Sequence, residues 1–354
     1  MNRDFYLNLA RTGLRMPIGA DLVLHEEPDP AATRLDAVAL GRVVERTARR
    51  YSTPLAFPLM DLTLEKRDLL EFLGVAPALA DAYQFSTAPD EEAIARVEAA
   101  ADRAFPIESR AAQGAISYIA QQTDLLPVGM LIGPFSLMTK LVADPIAPVA
   151  MAGAGVTGAE DAGVLLMERC VRLAELSVLR SARAQMDAGA RAIIVCEPAA
   201  NTVYLSPRQM RAGANLFERF VLEPNRRLRD TLAARGVDLI FHDCGALLPS
   251  MVESFGHDLH PVVLSLGSSR TLWEDAALVP DDVVLFGNLP TKLFYSDSAM
   301  PLEEVERRTE ELAARMRECG HVHILGSECD VLYVPDAAAT IRHKVDVMLR
   351  YGRQ

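Results

Sequence analysis

Residues 237–244 read Val-Asp-Leu-Ile-Phe-His-Asp-Cys, an apolar run that ends on two potential metal ligands. The run predicts a buried strand, and residues i and i+2 of a strand point to the same side of a sheet. His242 and Cys244 are therefore expected to face one point in space. A third soft ligand, Cys329, follows an apolar run at residues 322–325. One imidazole and two thiolates form a set with which zinc binds and keeps a fourth position open.

Similar short apolar runs recur through the second half of the chain and predict parallel strands. They occupy residues 192–195, 239–241, 262–265, 283–286 and 322–325. Segments with helical periodicity separate most of them, and strand and helix in alternation imply a parallel sheet with right-handed crossovers. The first half of the chain offers two more strand candidates, residues 55–59 and 128–132.

The clearest predicted helix spans residues 302–319, because apolar side chains recur there at spacings of three and four. Cys319 closes that apolar face and, like Cys170 in its own helix, is expected to be a core thiol. Residues 157–189 and 206–235 also predict long helices.

The number of strand candidates predicts an α/β fold, a (β/α)₈ TIM barrel with N-terminal helical additions. Residues 1–40 are interpreted as decoration of a single domain over residues 1–354, because the chain shows no low-complexity linker and no break in composition. A doubly wound open sheet is the alternative. No Gly-x-Gly-x-x-Gly motif follows a predicted strand, which removes the usual reason to prefer a dinucleotide fold.

Composition narrows the function classes. A formal net charge of -12 makes binding to nucleic acid or to an anionic membrane surface unfavourable through the overall field. We find no apolar run of 18 residues, so no transmembrane helix is expected, and the first residues lack the apolar core of a signal peptide. The chain has 5 cysteines, an odd count that fits reduced thiols and predicts a cytoplasmic location.

In such a barrel, active-site residues come from the carboxyl ends of strands. The three soft ligands occupy such positions, and so does Glu197, which follows the run 192–195. Cys196 and Glu197 alternate, so only one of them is expected to face the barrel mouth. We expect Glu197 there, because a carboxylate needs solvent or a partner, and it becomes a candidate catalytic residue.

A zinc ion held by two cysteines and one histidine favours one kind of chemistry. It can stabilise an incoming thiol as the thiolate or activate a water for hydrolysis. Two thiolate ligands donate much charge to the metal, which weakens its acidity toward water but leaves a bound thiolate reactive. Alkyl transfer onto sulfur is therefore favoured over hydrolysis.

Several segments around these ligands resemble the uroporphyrinogen decarboxylase superfamily. They are Phe-His-Asp-Cys-Gly at residues 241–245, Gly-Asn-Leu at 287–289, Gly-Ser-Glu-Cys-Asp at 326–330, Gly-Pro-Phe-Ser at 133–136 and Met-Asp-Leu-Thr at 60–63. The resemblance covers roughly residues 40–350, holds in order and spacing, and implies a TIM barrel.

Within that superfamily, one histidine and two cysteines mark the branch that resembles the methylcobamide:coenzyme M methyltransferases. The resemblance implies that His242, Cys244 and Cys329 bind zinc. It further implies a methyltransferase that moves a methyl group between a corrinoid (cobalamin) on a partner protein and a small thiol. Two alternatives stay open: a metal-free lyase of the decarboxylase type, and a demethylase component that transfers a methyl group from an ether or amine to the corrinoid.

Asp61 lies in the segment that resembles the region of the decarboxylase's catalytic aspartate, and it is the second candidate catalytic carboxylate. The alternative is a strand-end aspartate that caps the helix beginning near Thr63. The arginine-rich N-terminal segment with which the decarboxylase binds porphyrin carboxylates is not reproduced at residues 11–17, which disfavours that substrate.

Some zinc thiol methyltransferases carry an acidic residue about one strand after the His-x-Cys pair. Residues 263–270 here read Val-Leu-Ser-Leu-Gly-Ser-Ser-Arg and contain no carboxylate, so the fourth ligand is left open. Ser268, Ser269 and Arg270 are interpreted either as a site for an anionic group of the substrate or as a helix cap. Glu328, beside Cys329, has no assigned role.

Overall fold

A computed structural model describes residues 2–100 and 103–352 of the chain. Eight parallel strands cross these residues: β1 Arg15–Ile18, β2 Leu55–Ala56, β3 Leu126–Ile132, β4 Ala192–Cys196, β5 Asp238–Asp243, β6 Val263–Leu266, β7 Val284–Leu289 and β8 His323–Asp330. They form one sheet in the hydrogen-bonded order β1-β8-β7-β6-β5-β4-β3-β2. All seven strand candidates from the sequence are confirmed.

Helices surround the sheet. They are α1 Arg3–Arg11, α2 Ala20–Leu24, α3 Pro30–Leu35, α4 Ala37–Arg50, α5 Leu64–Phe72, α6 Pro77–Ala80, α7 Glu91–Glu98, α8 Ile107–Gln122, α9 Pro134–Leu141, α10 Ile146–Gly153, α11 Ala162–Asp187, α12 Pro207–Arg211, α13 Glu223–Ala233, α14 Pro249–Ser254, α15 Leu272–Asp275, α16 Leu302–Cys319 and α17 Ala338–Arg350. Single helical turns of other types lie at Glu218–Leu222, Phe255–Leu259, Ala276–Leu278, Thr291–Leu293 and Pro335–Ala337.

The sheet curls around an apolar interior to which every strand contributes. One buried cluster contains Ile18 of β1, Leu55 of β2, Met130 of β3, Ile194 and Cys196 of β4, Ile240 of β5, Val263 of β6, Phe286 of β7 and Ile324 of β8. Other residues of β3 to β8 join a second cluster together with the helices. This division into an inner core and a core between sheet and helices confirms the predicted (β/α)₈ TIM barrel.

The N-terminal segment contributes more than decoration. Met16 of β1 pairs with Gly326 of β8 in parallel register, so residues 1–40 include a strand of the barrel as well as helices. The interpretation of this segment as decoration alone missed the strand. Arg15 and Pro17 interrupt the apolar residues of Arg15–Ile18, so no continuous apolar run marks this segment as a strand.

Helix α16 matches its predicted bounds, and its buried face carries Val305, Thr309, Leu312 and Met316. Cys319, its last residue, is nevertheless exposed, so the expectation of a core thiol there was wrong. The helix ends at that residue, and Gly320 follows in a left-handed conformation. Cys170 in α11 is buried, as expected.

The long helix expected over residues 206–235 is broken. Helix α12 ends at Arg211, and Gly213 follows with φ of +90°, a left-handed conformation that ends a helix. The chain becomes helical again in the turn Glu218–Leu222, which continues into α13. Among the described residues, none of the helices combines the length and apolar character that crossing a membrane requires.

A buried carboxyl group lies between two of the outer helices. Glu65 of α5 accepts a hydrogen bond at Oε1 from Ser181 Oγ of α11, at 2.9 Å. Burial raises the pKa of Glu65 from 4.5 to about 7. Because the folded-state pKa exceeds the unfolded-state value, the stability that the protonated carboxyl provides is complete below about pH 4.5 and is lost as the pH rises through about 7.

The substitution Glu65→Gln is expected to remove this pH dependence. Between about pH 5 and pH 8, the free energy of unfolding of the native chain should fall relative to that of Glu65→Gln by about 3 kcal/mol. Urea denaturation at several pH values measures the difference, with Glu71→Gln in the same helix as the matched control. A difference that stays constant across this range contradicts the prediction.

Candidate metal centre

The structure brings the three predicted ligands together. His242 lies next to the last residue of β5, and Cys244 is the first residue after that strand. Cys329 lies in β8, which extends to Asp330. One ligand atom from each residue lies within 4.8 Å of the other two. Tetrahedral zinc, with bonds of about 2.3 Å to sulfur and 2.0 Å to nitrogen, separates such atoms by about 3.5 to 3.8 Å. The cluster therefore fits a zinc ion after small side-chain adjustments.

Register between neighbouring strands orients the imidazole. His242 of β5 is paired with Ser265 of β6, so both side chains point into the barrel, and His242 Nδ1 lies 2.8 Å from Ser265 Oγ. With the Nδ1 proton donated to that hydroxyl, Nε2 carries the lone pair. Nε2 is buried and has no hydrogen-bond partner among the described residues, a cost of about 1–3 kcal/mol that a metal bond removes.

The two thiols are strongly coupled. The Cys329 thiol donates to Cys244 and, with the Lys292 ammonium, lowers the pKa of Cys244 against the opposing effect of burial. The same hydrogen bond raises the pKa of Cys329. The hydrogen bond therefore favours the thiolate form of Cys244 over that of Cys329. A bound divalent cation would take the place of the shared proton, because metals bind cysteine as the thiolate.

Lys292 adds a positive charge to the cluster, and the sequence did not reveal it. Its Nζ lies 3.7 Å from Cys244 Sγ. Burial disfavours the ammonium, but Cys244, Cys329 and Glu328 outweigh burial and raise the pKa of Lys292. Lys292 lies in the turn Thr291–Leu293, just beyond β7. Active-site residues come from the carboxyl ends of barrel strands. Inspection of the residues after β7, as for β5 and β8, would have identified Lys292.

The Glu328 carboxylate links the loops after β6 and β7 through hydrogen bonds. Its Oε2 accepts from Ser268 Oγ at 2.5 Å and from the Ser268 backbone N–H at 3.3 Å. Its Oε1 accepts from the Lys292 backbone N–H at 3.3 Å. Glu328 therefore holds the turn that carries Lys292 beside the thiols.

The segment 268–270 fits neither of its two interpretations. Arg270 pairs with Asp275, with Nε 3.1 Å from Oδ2, and donates from Nη1 to the Leu247 carbonyl, so its charge is engaged. Ser268 holds Glu328 instead of an external anion. Helix α15 begins later, with Thr271 in the N-cap position and no side-chain cap.

Glu197 does not face the barrel mouth, and the expectation that it does was wrong. Cys196 takes the inward position, so Glu197 points to the helices and is fully buried. Its Oε1 accepts from the Ser136 backbone N–H of α9 at 2.5 Å, and its Oε2 accepts from Asn225 Nδ2 of α13 at 2.8 Å. A Cβ at Gly133 would lie 2.1 Å from this carboxylate. Glu197 therefore links the end of β4 to helices α9 and α13 through buried hydrogen bonds.

Asp61 adjoins the centre but bonds to its own turn. Its Oδ1 accepts from Thr63 backbone N–H at 3.0 Å and from Thr63 Oγ1 at 2.5 Å, directly before α5 begins. Its Oδ2 lies 3.6 Å from Arg34 Nη1. The preceding Met60 places Sδ 4.0 Å from Cys329 Sγ. These contacts place Asp61 in the turn before α5, whose N-cap residue is Thr63, and its catalytic role stays a prediction.

The fold and the cluster together describe a TIM barrel with a Cys₂His ligand set at the carboxyl ends of its strands. The chain belongs to the uroporphyrinogen decarboxylase (URO-D) family, whose profile matches residues 85–339. No curated protein sequence matches the chain. Among solved structures, a methyltransferase from Methanosarcina mazei is similar over 94% of this chain and 92% of that chain, with a TM-score of 0.60 and 16% sequence identity. At that identity the likeness shows the fold.

Purified protein is expected to bind one zinc ion, and Cys244→Ser with Cys329→Ser is expected to abolish binding because two of three ligands are lost. Ser265→Ala should lower zinc affinity by about 10- to 100-fold, since the imidazole loses its orienting partner. Competition against a chromophoric chelator measures these affinities. Cys319→Ser, which changes an exposed thiol on α16, is the matched control. A native chain without zinc affinity, or full occupancy in the double variant, contradicts the assignment.

Glu197→Gln is expected to lower the free energy of unfolding by about 1–3 kcal/mol. The glutamine amide group would face one of the two buried N–H donors, on Ser136 or Asn225, and that donor would lose its acceptor. Zinc affinity should be unchanged, since the carboxylate lies behind the sheet. Urea denaturation and zinc content measure the two quantities on the same preparation. A variant of native stability that fails to turn over substrate would instead restore Glu197 as a catalytic residue.

Proposed function

We propose that this protein is a zinc-dependent methyltransferase that moves a methyl group between a corrinoid on a partner protein and a small thiol. The observation that carries the proposal is the buried, unpartnered Nε2 of His242 beside two coupled cysteine sulfurs at the barrel mouth. Membership of the URO-D family and structural likeness to a methyltransferase support it. When bound, zinc would supply a Lewis acid that keeps an incoming thiol in its nucleophilic thiolate form.

The residues around the cluster suit a site that accepts a further negative charge. Cys244 and Cys329 together carry two negative charges as ligands, and a substrate thiolate adds a third beside a divalent ion. The Lys292 ammonium, 3.7 Å from Cys244 Sγ, offsets that excess. His242 contributes a neutral donor atom whose direction Ser265 maintains. We infer that Lys292 favours binding of the thiolate over the neutral thiol.

The carboxyl face of the barrel offers a surface for the corrinoid protein. Large apolar side chains are exposed on the loops that follow β7 and β8: Leu293, Tyr295, Leu332 and Val334. These two strands are neighbours in the sheet, so their loops leave the same part of the mouth. An exposed apolar group beside a reactive centre is a common feature of protein docking sites, and it supports approach of a partner at this end.

The metal-free lyase alternative is less well supported. It needs an arginine at the mouth to bind substrate carboxylates, and Arg34 is the arginine beside Asp61. That guanidinium also lies 3.5 Å from Asp21, so two carboxylates of the protein already face its charge. The demethylase alternative uses the same ligand set, and the identity of the methyl acceptor distinguishes it from thiol methylation.

Zinc-loaded protein mixed with methylcobalamin and a small thiol is expected to consume methylcobalamin and form the methyl thioether. Absorbance follows the corrinoid, and mass spectrometry identifies the product. Cys244→Ser should abolish transfer because it removes a ligand. Lys292→Met should raise the KM for the thiol by about tenfold, since the charge that offsets the thiolate is lost.

The controls for this assay separate the alternatives. Cys319→Ser should transfer at the native rate, and Lys292→Arg should recover most of the native KM. Transfer from an ether or amine to free cob(I)alamin, with none to a thiol, would favour the demethylase alternative. Activity on a porphyrinogen that survives removal of the metal by a chelator would contradict the proposal and favour the lyase.

A further inference from the structure

A second cavity lies at the opposite end of the barrel from the metal centre. Its walls come from the end of α1, the first residues of β1, helix α16 and the connection that leads into β8. The volume is about 760 Å³, within the range of small-molecule sites. We refer to it as the basal cavity, because its lining residues lie at the amino ends of β1 and β8 whereas the metal ligands lie at the carboxyl ends.

Basic side chains line the basal cavity. They are Arg11, Arg15, Arg317, His321 and His323. None of the described lining residues carries a carboxylate, although the chain as a whole has a net charge of -12. The pKa values of His321 and His323 are lowered by burial, so the arginines supply the positive field that an otherwise acidic protein presents here.

Two of the guanidinium groups donate to neutral oxygens of the protein. Arg11 Nη1 lies 3.1 Å from Asn8 Oδ1, and Arg317 Nε lies 3.2 Å from the Ala313 carbonyl. Arg15 is engaged by the protein, because its Nη1 donates to the Met348 carbonyl at 3.3 Å and to the Tyr351 carbonyl at 2.5 Å. These contacts hold the side chains without cancelling the charges of Arg11 and Arg317.

Two of the three acidic residues near the cavity, Glu26 and Asp346, have arginine partners of their own. Glu26 and Asp346 act on Tyr51, which forms one wall. Glu26 lies 2.7 Å from Arg50, and Asp346 lies 3.7 Å from Arg350. Asp281 approaches His321 from the loop before β7. None of these three carboxylates belongs to the described lining of the cavity.

His323 lies on the basic side of the cavity wall. Burial lowers the pKa of His323 to about 4, and Arg15, His321 and Arg317 lower it further by repulsion. Apolar atoms of Leu14, Tyr51 and Val322 cover other parts of the wall. The cavity thus combines a cationic region, where arginine forks match phosphate oxygens, with an apolar surface for the rest of a ligand.

We propose that the basal cavity is a binding site for an organic phosphate, with Arg11 and Arg317 on the phosphate and the apolar wall on the organic part. The site is separate from the metal centre, and the proposal stands whether or not the methyltransferase function is correct. A ligand there contacts α1, β1 and the start of β8, the strand that carries Cys329 at its other end.

ATP titrated into the zinc-loaded chain by calorimetry at low salt is the direct test, with inorganic phosphate as the second probe. We expect one ATP per chain with a Kd in the submillimolar to micromolar range, and weaker competition by inorganic phosphate, which lacks the organic part. Absence of binding at about 5 mM ATP overturns the proposal, as does equal affinity for the two probes.

Matched variants locate the site. Arg317→Gln and Arg11→Gln should each weaken ATP binding by about tenfold, since each removes a charge-assisted hydrogen bond. Arg315→Gln is the control, because Arg315 is in the same helix and is paired with Glu318 at 3.1 Å. Equal weakening in the control would indicate diffuse charge attraction and overturn the proposal. ATP binding that disappears with Cys244→Ser and Cys329→Ser would place the phosphate at the metal centre and also overturn it.

Discussion

Parallel register between β4, β5 and β6 is the constraint on which the candidate site depends. Cys196 is paired with His242, and His242 with Ser265, so all three side chains point into the barrel. That register lets a hydroxyl from the next strand orient the imidazole. It also turns the residue after Cys196 outward, where Glu197 ties the sheet to α9 and α13. The same alignment therefore directs His242, a candidate metal ligand, into the barrel and Glu197, which supports the sheet, toward the helices.

The centre carries energetic costs that a metal ion would offset. The buried nitrogen of His242 has no partner among the described residues, and the two cysteines concentrate negative charge beside it. The unpartnered nitrogen destabilises the folded chain. Coordination would relieve this cost, and binding energy at such a site would become folding energy. Lys292 and Glu328, tied together through the turn after β7, supply the electrostatic balance around the cluster.

Apolar runs in the sequence predicted the strands β2 to β8, and helical periodicity predicted helix α16. Strand β1 was missed because Arg15 and Pro17 interrupt its apolar residues, and its place is set by pairing with β8. The break after Arg211 was not predicted, because one glycine, at position 213, interrupts a segment whose other residues fit a helical pattern. Cys319 fits its helix face, yet the helix ends there and leaves it exposed.

By itself, the sequence determined which ligand types are present and that they follow predicted strands, since residue identity and strand parity are local properties. The resemblance of short segments to a known superfamily added their expected roles. Only the tertiary structure decided that Cys196 and not Glu197 faces inward, that Ser265 orients His242, and that Lys292 reaches Cys244. These relations join residues distant in the chain. They depend on inter-strand register and on the paths of loops, which packing of the whole barrel sets and no local pattern encodes.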